Sequence, residues 1–535
     1  MIMYRNRWAF WLGVLAVSVG VSLHLPMYWE AREMEFRMAG MPVDGTMRTG
    51  MVLIVCGLAL TAWALIPRHS QVDLDQERRL RVRALDDAPI RASHVALLVV
   101  MAAAVTIDVM KPTTLAFVLP GVAAEYGLRS PLNPHGHIPV AWLPLVALVG
   151  MVLGSVGWGW LGDRIGRRSS ILLAAVMFIA TSICGAMPSF AWNLLMCFLM
   201  GAAVGGMLPI AFALLAETIP ARHRGWLMVL IGGDVAGAYL LTSYLSAQLQ
   251  PHFGWRVMWL IGLPTGVFMI LLNRWIPESP RFLLATGRAA QAAAVMARFG
   301  ARVVPVPDEP VVPAEEPTRV GYLRLFLRPF GGMTAGIVVF GLGWGLVNNG
   351  FLLWLPTNLR QAGLNVAAAD GLLASAALIG FPAVFLVAAL YGFWSSKWTM
   401  TIFATLNAAA LVTFAVLGDR VAAHPALLRI LVVMVLAGTG SILAMLTPYS
   451  SEVYPTAVRA RGAGLAGMAA RAGGFLGVGL VVAGIAPPNL ATAALLGAIP
   501  MALAALAVAR FGIETRRRRL EEISLLPAPE PTASL

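Results

Sequence analysis

Charge is scarce in this sequence. Of its 535 residues, 12% are Asp, Glu, Lys or Arg and 59% are hydrophobic, about half the share of charge that a soluble protein carries. Cysteine is rarer. Cys56, Cys184 and Cys197 all fall inside apolar runs, which argues against a disulfide framework and against a zinc site of recognisable spacing. Lysine occurs only at Lys111 and Lys397, every other basic residue being arginine. No nucleophile and base pair, metal-ligand set or phosphate-binding loop is present, so the sequence gives no sign of an enzyme and none of a cofactor. His24 and the methionines from Met27 to Met51, like His135 and His137, match no metal-site spacing, and methionine is a common apolar filler. No metal is expected.

What the chain has instead is apolar runs. They recur from end to end at about 20 residues, enough at 1.5 Å per residue to cross a hydrocarbon core of about 30 Å, and the mean hydropathy is +0.77. Fourteen are readable, so the expected fold is an all-α polytopic membrane protein with 14 transmembrane helices. The net charge is +13. With the N-terminus in the cytoplasm, 29 of the 39 Lys and Arg fall in cytoplasmic segments and eight outside, among them Arg256. That is the asymmetry of inner-membrane proteins. It puts both termini inside and accounts for the basic excess with the lipid bilayer as partner and no nucleic acid. The start, "MIMYRNRWAFWLGVLAVSVG", has the order of a signal peptide, but the bulky "VSLHLPMYWE" follows where small residues would be cleaved. It is read as a retained helix.

The interruptions divide the chain. Two helices occupy 1–67, and a polar helix or linker lies at 68–93. Six core spans fill 94–275, a central cytoplasmic loop with "VVPVPDEPVVPAEEPTR" runs over 276–331, six further spans fill 332–511, and a basic, then proline-rich tail covers 512–535. Core span 2 ends in "GWLGDRIGRRSS", where Gly162 and Gly166 permit a short turn and Asp163, Arg164, Arg167 and Arg168 charge it. Core span 4 ends in "AETIPARHRG" and core span 10 in "SEVYPTAVRARG". Glu217, Arg222 and Arg224 in one half therefore answer to Glu452, Arg459 and Arg461 in the other, the trace of a parallel internal repeat.

On these motifs the chain resembles the major facilitator superfamily over about residues 94 to 511. "PESPRFLLATGR" after core span 6 looks like the sugar porter signature, and "ARAGGFLG" in core span 11 looks like the branch of organic-acid and metabolite proton symporters. Core span 7 has "WGLVNNGFLLWLP" in place of the glutamine-rich pattern of hexose carriers. The resemblance implies two pseudo-symmetric six-helix bundles, here with two additional helices, and a monomeric transporter. It also implies a cytoplasmic gate in which Asp163 pairs with an arginine and a helix N-terminus; a tight turn plus orienting charge is the structural alternative.

Four charged residues lie well inside spans: Asp108, Lys111, Asp234 and Arg471. Each costs about 2.5 to 3.5 kcal/mol at a helix centre if left to lipid, so they must face protein or a water-filled cavity. Asp108 and Lys111 are three apart on one helical face and are expected to meet. Pro112 lacks the N–H that would bond the carbonyl of residue 108. A lysine, unlike an arginine, can lose its proton when desolvated. The reading is a proton at Asp108 or Asp234 and a small anionic metabolite at Lys111 and Arg471, with Asn348 and Asn349 as neutral hydrogen-bonding groups. A static ion pair pinning two helices is the plainer alternative. Proton-driven symport is the first expectation; efflux by antiport, or a non-transporting sensor on the same fold, uses the same parts.

Overall fold

A computed structural model describes residues 6–66, 80–84, 89–305, 325–327, 330–454, 456–484 and 489–515. Lipid offers no hydrogen bonds, so each crossing segment must satisfy its own backbone as a helix. Among the described residues twelve helices are long and apolar enough to cross a membrane, and shorter apolar helices lie at Phe190–Val204 and Val257–Leu272.

The chain opens with α1 (Arg7–Ser22) and α2 (Gly45–Leu65). Asn6 and Asp44 start them by accepting hydrogen bonds from first-turn amides, as good N-cap residues do. Four glycines set how closely they cross. A Cβ on Gly13 would stand 2.8 Å from the Gly57 carbonyl oxygen and one on Gly57 2.7 Å from that of Gly13; Gly20 and Gly50 repeat the arrangement at 2.7 Å each way. Small residues at such crossings let backbones touch where no hydrophobic force between helices exists.

The strands β1 (Leu80–Ala84) and β2 (Ala301–Pro305) pair antiparallel, Leu80 opposite Pro305 and Ala84 opposite Ala301. The segment read as a polar helix or linker thus contributes a strand. Its partner lies more than 200 residues on, which local composition cannot signal. Otherwise the described chain is all-α. Core span 1 is α3 (Ala92–Tyr126), unbroken through Pro112 and Pro120. Then come α4 (Trp142–Ile165), α5 (Arg167–Ala180), α6 (Phe190–Val204), α7 (Met207–Thr218), α8 (Ala221–Gly232), α9 (Val235–Phe253) and α10 (Gly262–Leu272). The second half has α11 (Gly331–Leu346), α12 (Val366–Gly380), α13 (Ala383–Ala389), α14 (Ser396–Leu417), α15 (Pro425–Glu452), α16 (Thr456–Val482) and α17 (Leu490–Phe511).

Two compact units result: Met1–Arg224 with Ala238–Pro307 and Gly363–Ala374, and Gly225–Gly237 with Asp308–Ala362 and Ser375–Leu535. In the first, α4 and α6 cross on Gly150, Gly154, Gly201 and Gly205, whose missing side chains admit the carbonyls of Phe198, Ala202, Ala147 and Met151. The helix pair α1 and α2 packs on α5, as do α10 and α4, and the span containing α5 is 94% buried. In the second unit, α11 and α16 cross on Gly345 and Gly473, which face the carbonyls of Ala470 and Leu342.

The leading helices are also tied to the core through their connection. Tyr28 donates to the Phe253 carbonyl at 2.6 Å, Gly40 N–H to that of Pro188 at 3.0 Å, and the Met38 and Ala39 amides to Glu125 Oε1 at 2.7 and 2.8 Å. Glu35 and Phe36 take φ of 56° and 59° there, a left-handed conformation costly for side-chain-bearing residues. Phe36 stacks on Tyr28 with centroids 4.9 Å apart. Glu125 also pairs with Arg256 at 2.7 Å. Arg256, placed by its sequence in a watery loop, is fully buried.

Candidate functional site

α3 carries Asp108 and Lys111 into the interior of the first unit, where both are buried. They do not pair as the spacing suggests. Neither Asp108 oxygen has a hydrogen-bond partner among the described residues, and Lys111 Nζ reaches across to the Phe178 carbonyl of α5 at 3.3 Å. The reason is the lysine's length and one small neighbour. A Cβ on Gly262, at the start of α10, would collide with Lys111 Nζ, with Ser182 Oγ next to it; the missing side chain leaves room for the ammonium between α5 and α10. An ammonium has three donors, and one hydrogen bond accounts for one of them.

The remaining interior candidates belong to the second unit. Asp234 sits where the helix breaks between α8 and α9, its Oδ1 3.1 Å from where a Cβ on Gly237 would stand. Asn348 and Asn349 lie in a π-helical turn, Val347–Leu352, that continues α11, and Asn349 donates to the Gly345 carbonyl at 3.3 Å. Such turns inside helices are frequent at functional sites. Arg471 is half-buried on α16, and α16 presses on this turn, a Cβ on Gly477 lying 3.1 Å from Gly350 N. The guanidinium has no ion-pair partner among the described residues. Asp108 and Lys111 are thus brought into one unit, and Asn348, Asn349 and Arg471 onto two touching helices of the other.

At the charged turn, Gly166 is the glycine the backbone requires. Its φ is +90°, and a Cβ there would lie 2.6 Å from Glu278 Oε2, whereas one on Gly162 would meet nothing closer than Ser170 Oγ at 3.7 Å. Arg164 stacks over Trp160 at 4.1 Å, Arg167 donates to the Gly162 carbonyl at 3.2 Å, and Arg168 donates to that of Arg274 at 3.3 Å. Arg224 donates to the Ile219 carbonyl at 3.4 Å. The side chains of Asp163, Glu217, Arg222, Arg459 and Arg461 lie outside what the structure describes.

The acid at the N-terminus of α5 is Glu278, accepting from Arg168 N–H at 3.2 Å and Ser279 N–H at 3.0 Å. Sequence reading passed over it. Burial pushes its carboxyl up, against hydrogen bonds from Ser279, Arg168 and Arg167 and the charge of Arg167. A folded value above the unfolded one adds stability that is full below the unfolded value and is lost as pH rises through the folded value. The thermal midpoint of the wild type is therefore expected to fall relative to Glu278→Gln as pH rises from 4.5, because the wild type alone loses the stability carried by the protonated carboxyl. Parallel midpoints for the two proteins across that window would contradict this.

A counterpart stands at α14. Glu514 accepts from Ser396 N–H at 3.0 Å, from Ser396 Oγ at 2.7 Å and from Ser395 Oγ. Its neighbour Thr515 donates to Glu452 Oε2 at 2.7 Å, and Tyr391 donates to the same oxygen at 2.9 Å. The signal was available as a second repeat, Ile276-Pro277-Glu278-Ser279 against Ile513-Glu514-Thr515, hidden because the second copy adjoins the arginine run of the tail. Among the described residues no three His, Cys, Asp or Glu side chains converge as metal ligands would.

Residues 118–526 match the family profile described as sugar (and other) transporter, and residues 2–224 one described as MFS/sugar transport protein. The chain is 26% identical over 406 residues to a niacin transporter of Acinetobacter baylyi, covering 74% of this chain and 88% of the relative. It is 30% identical over 298 residues to a gallate transporter of Pseudomonas putida, covering 53% and 62%. In fold it matches the inward-open xylose transporter XylE of E. coli with a TM-score of 0.61 at 18% identity, over 80% of this chain and 99% of that one.

Proposed function

This chain belongs to the sugar (and other) transporter family of the major facilitator superfamily, and we propose that its cargo is a small aromatic monocarboxylate, carried inward with a proton by alternating access. One observation carries the reading: Asp108 is fully buried with no donor to either oxygen among the described residues, three positions from a lysine that spends one donor on a carbonyl. An unpaired carboxylate in the interior costs several kcal/mol, and a proton taken up at Asp108 removes that charge. Lys111 and Arg471 are the cations assigned to the carboxylate, a guanidinium fork suiting it in particular. Asn348 and Asn349 supply neutral hydrogen bonds to ring substituents, and Asp234 is a second candidate for the proton. Asp163, Arg164, Arg167, Arg168 and the paired Glu217, Arg222, Arg224 and Glu452, Arg459, Arg461 are assigned to the cytoplasmic gate. The class of cargo is supported by the relatives named for niacin and gallate, both aromatic acids. The basic loops support an inner-membrane protein with both termini in the cytoplasm.

The test is flux in proteoliposomes loaded at alkaline pH and diluted into acid. Labelled nicotinate or a hydroxybenzoate is expected to accumulate, with xylose excluded, and a protonophore to abolish the accumulation. Expulsion of preloaded acid under the same gradient would mean antiport instead, and no flux of any aromatic acid would remove the assignment.

A further inference from the structure

Three cysteines are scattered through apolar runs of the sequence, and their spacing points to no site. The fold brings two of them together. Cys184 lies in the 3-10 turn Thr181–Ala186 that follows α5, Cys197 lies on α6, and both side chains are buried in the first unit. Asn193, one turn before Cys197 on the same face of α6, seats the pair. Its Nδ2 is committed to the Tyr126 hydroxyl at 3.1 Å and the Ser189 carbonyl at 3.0 Å, so the amide turns its oxygen to Cys184, whose thiol donates to it at 3.4 Å. Cys184 Sγ in turn accepts from the Cys197 thiol. The Lys111 ammonium is close by and interacts electrostatically with Cys184; a Cβ on Gly262 would meet both Lys111 Nζ and Ser182 Oγ, two residues before Cys184. Two hydrogen-bonded thiols and a cation thus share one buried corner of the first unit.

We propose that Cys184 and Cys197 form a two-coordinate site for a soft monovalent cation with a filled d shell, copper(I) or its stand-in silver(I), and that Lys111 is its counter-charge. Thiolates select such ions. A structural zinc site needs four ligands, and among the described residues no three His, Cys, Asp or Glu side chains converge, whereas two opposed sulfurs are enough for an ion that binds linearly. Binding breaks two S–H bonds and forms two S–metal bonds; no electron is transferred, and both protons leave to water. Two bonds of about 2.3 Å, the length that zinc makes to a thiolate, set the sulfurs little farther apart than a thiol–thiol hydrogen bond does. The cation therefore takes the place of the bridging proton. Two thiolates and one monovalent cation leave a single negative charge in the interior, where a charge must be paired. The Lys111 ammonium, with one donor spent on the Phe178 carbonyl, cancels it. A divalent cation would make the thiolate pair neutral and leave the ammonium unmatched, which is why the site prefers a charge of one.

The test is equilibrium silver binding by the purified full chain in detergent, read by competition with a chromophoric chelator and by the protons released into weak buffer. The wild type and Cys56→Ser, which changes a cysteine exposed at the surface, are expected to bind one silver ion tightly and to release about two protons with it. Cys184→Ser and Cys197→Ser each keep a hydroxyl for the hydrogen bonds and remove a ligand. Each should weaken the site by more than the about ten- to hundredfold that loss of an outer partner costs. Lys111→Met, the loss of such an outer partner, should weaken silver binding by about tenfold or more and leave mercury(II) binding unchanged. Methionine thioethers carry no proton to lose, so silver held by them would bind without proton release. Equal silver affinity in the wild type and Cys184→Ser, or a tightly bound ion that releases no protons, would overturn the site; unchanged silver affinity in Lys111→Met would remove the counter-charge. Should one serine variant not fold, the other decides. No flux is measured, so a wrong cargo assignment would leave the outcome untouched.

Discussion

Asp108→Asn is expected to lose substrate accumulation while keeping exchange. If each substrate enters with one proton, an imposed difference of one pH unit supports about a tenfold concentration ratio, since tenfold and about 1.4 kcal/mol are the same quantity; two units support about a hundredfold. Asparagine has the size of the protonated acid and no proton to release, so it fixes the carrier in the form that binds cargo and unlinks it from the gradient. The accumulation ratio should then fall to about one at every imposed gradient, while counterflow of labelled against unlabelled substrate continues. The environment of residue 108 makes this separation sharp. Neither oxygen has a donor among the described residues and the side chain is fully buried, so the substitution breaks no described hydrogen bond. Lys111→Ala should behave differently, raising KM through loss of a cation for the carboxylate. A wild-type accumulation ratio in Asp108→Asn would move the coupling proton elsewhere, with Asp234 next in line.

The same helix illustrates what a sequence discloses. The existence of α3 was legible because apolar residues in a row within a bilayer must be helical and must span; its length was not, since the helix runs over Ala92–Tyr126, past the end of the apolar run at Leu119. Both Asp108 and Lys111 are buried, but their spacing did not disclose their contacts. Those depended on the lysine's long stem and on the absence of a side chain at Gly262, about 150 positions away. The charged turn was legible for a similar reason to the spans: only glycine adopts the φ of +90° found at Gly166 without strain. The identity of the acid it faces was not, because Glu278 sits in a loop more than 100 residues on, where an acidic residue is unremarkable. Asp370, which accepts from Ser246 Oγ at 2.5 Å, stands at the margin of an apolar run, where a charge calls for no explanation, and the sequence analysis did not single it out. In each case the missing information was a partner from a distant part of the chain, and local pattern carries none of that.

Arg256 is the plainest instance, and it leads to the largest stability effect expected in the molecule. As one basic residue near a span end it contributed only to the topology count. In the fold it is fully buried, pairs with Glu125 at 2.7 Å and donates to the carbonyl of Met187 at 2.8 Å and the hydroxyl of Tyr126 at 2.9 Å. Glu125 in turn accepts from Trp255 Nε1 at 2.8 Å and from the amides of Met38 and Ala39. Glu125→Ala should cost about 3 to 5 kcal/mol, because removing one member of a buried pair leaves the other charged and unpaired. It should appear as a fall in the thermal midpoint of the purified protein. Glu125→Gln keeps one acceptor and should cost less. If the substitution acts through the leading helices, the protein lacking residues 1–66 should already be destabilised and should lose less on Glu125→Ala than the full chain does, since the Met38 and Ala39 donors are gone from both of its forms. Equal losses in the two backgrounds would mean that Arg256 alone accounts for the effect and that the leading helices only rest on the bundle. Unequal losses would make them part of what holds the outer end of α3, and with it the helix that carries Asp108.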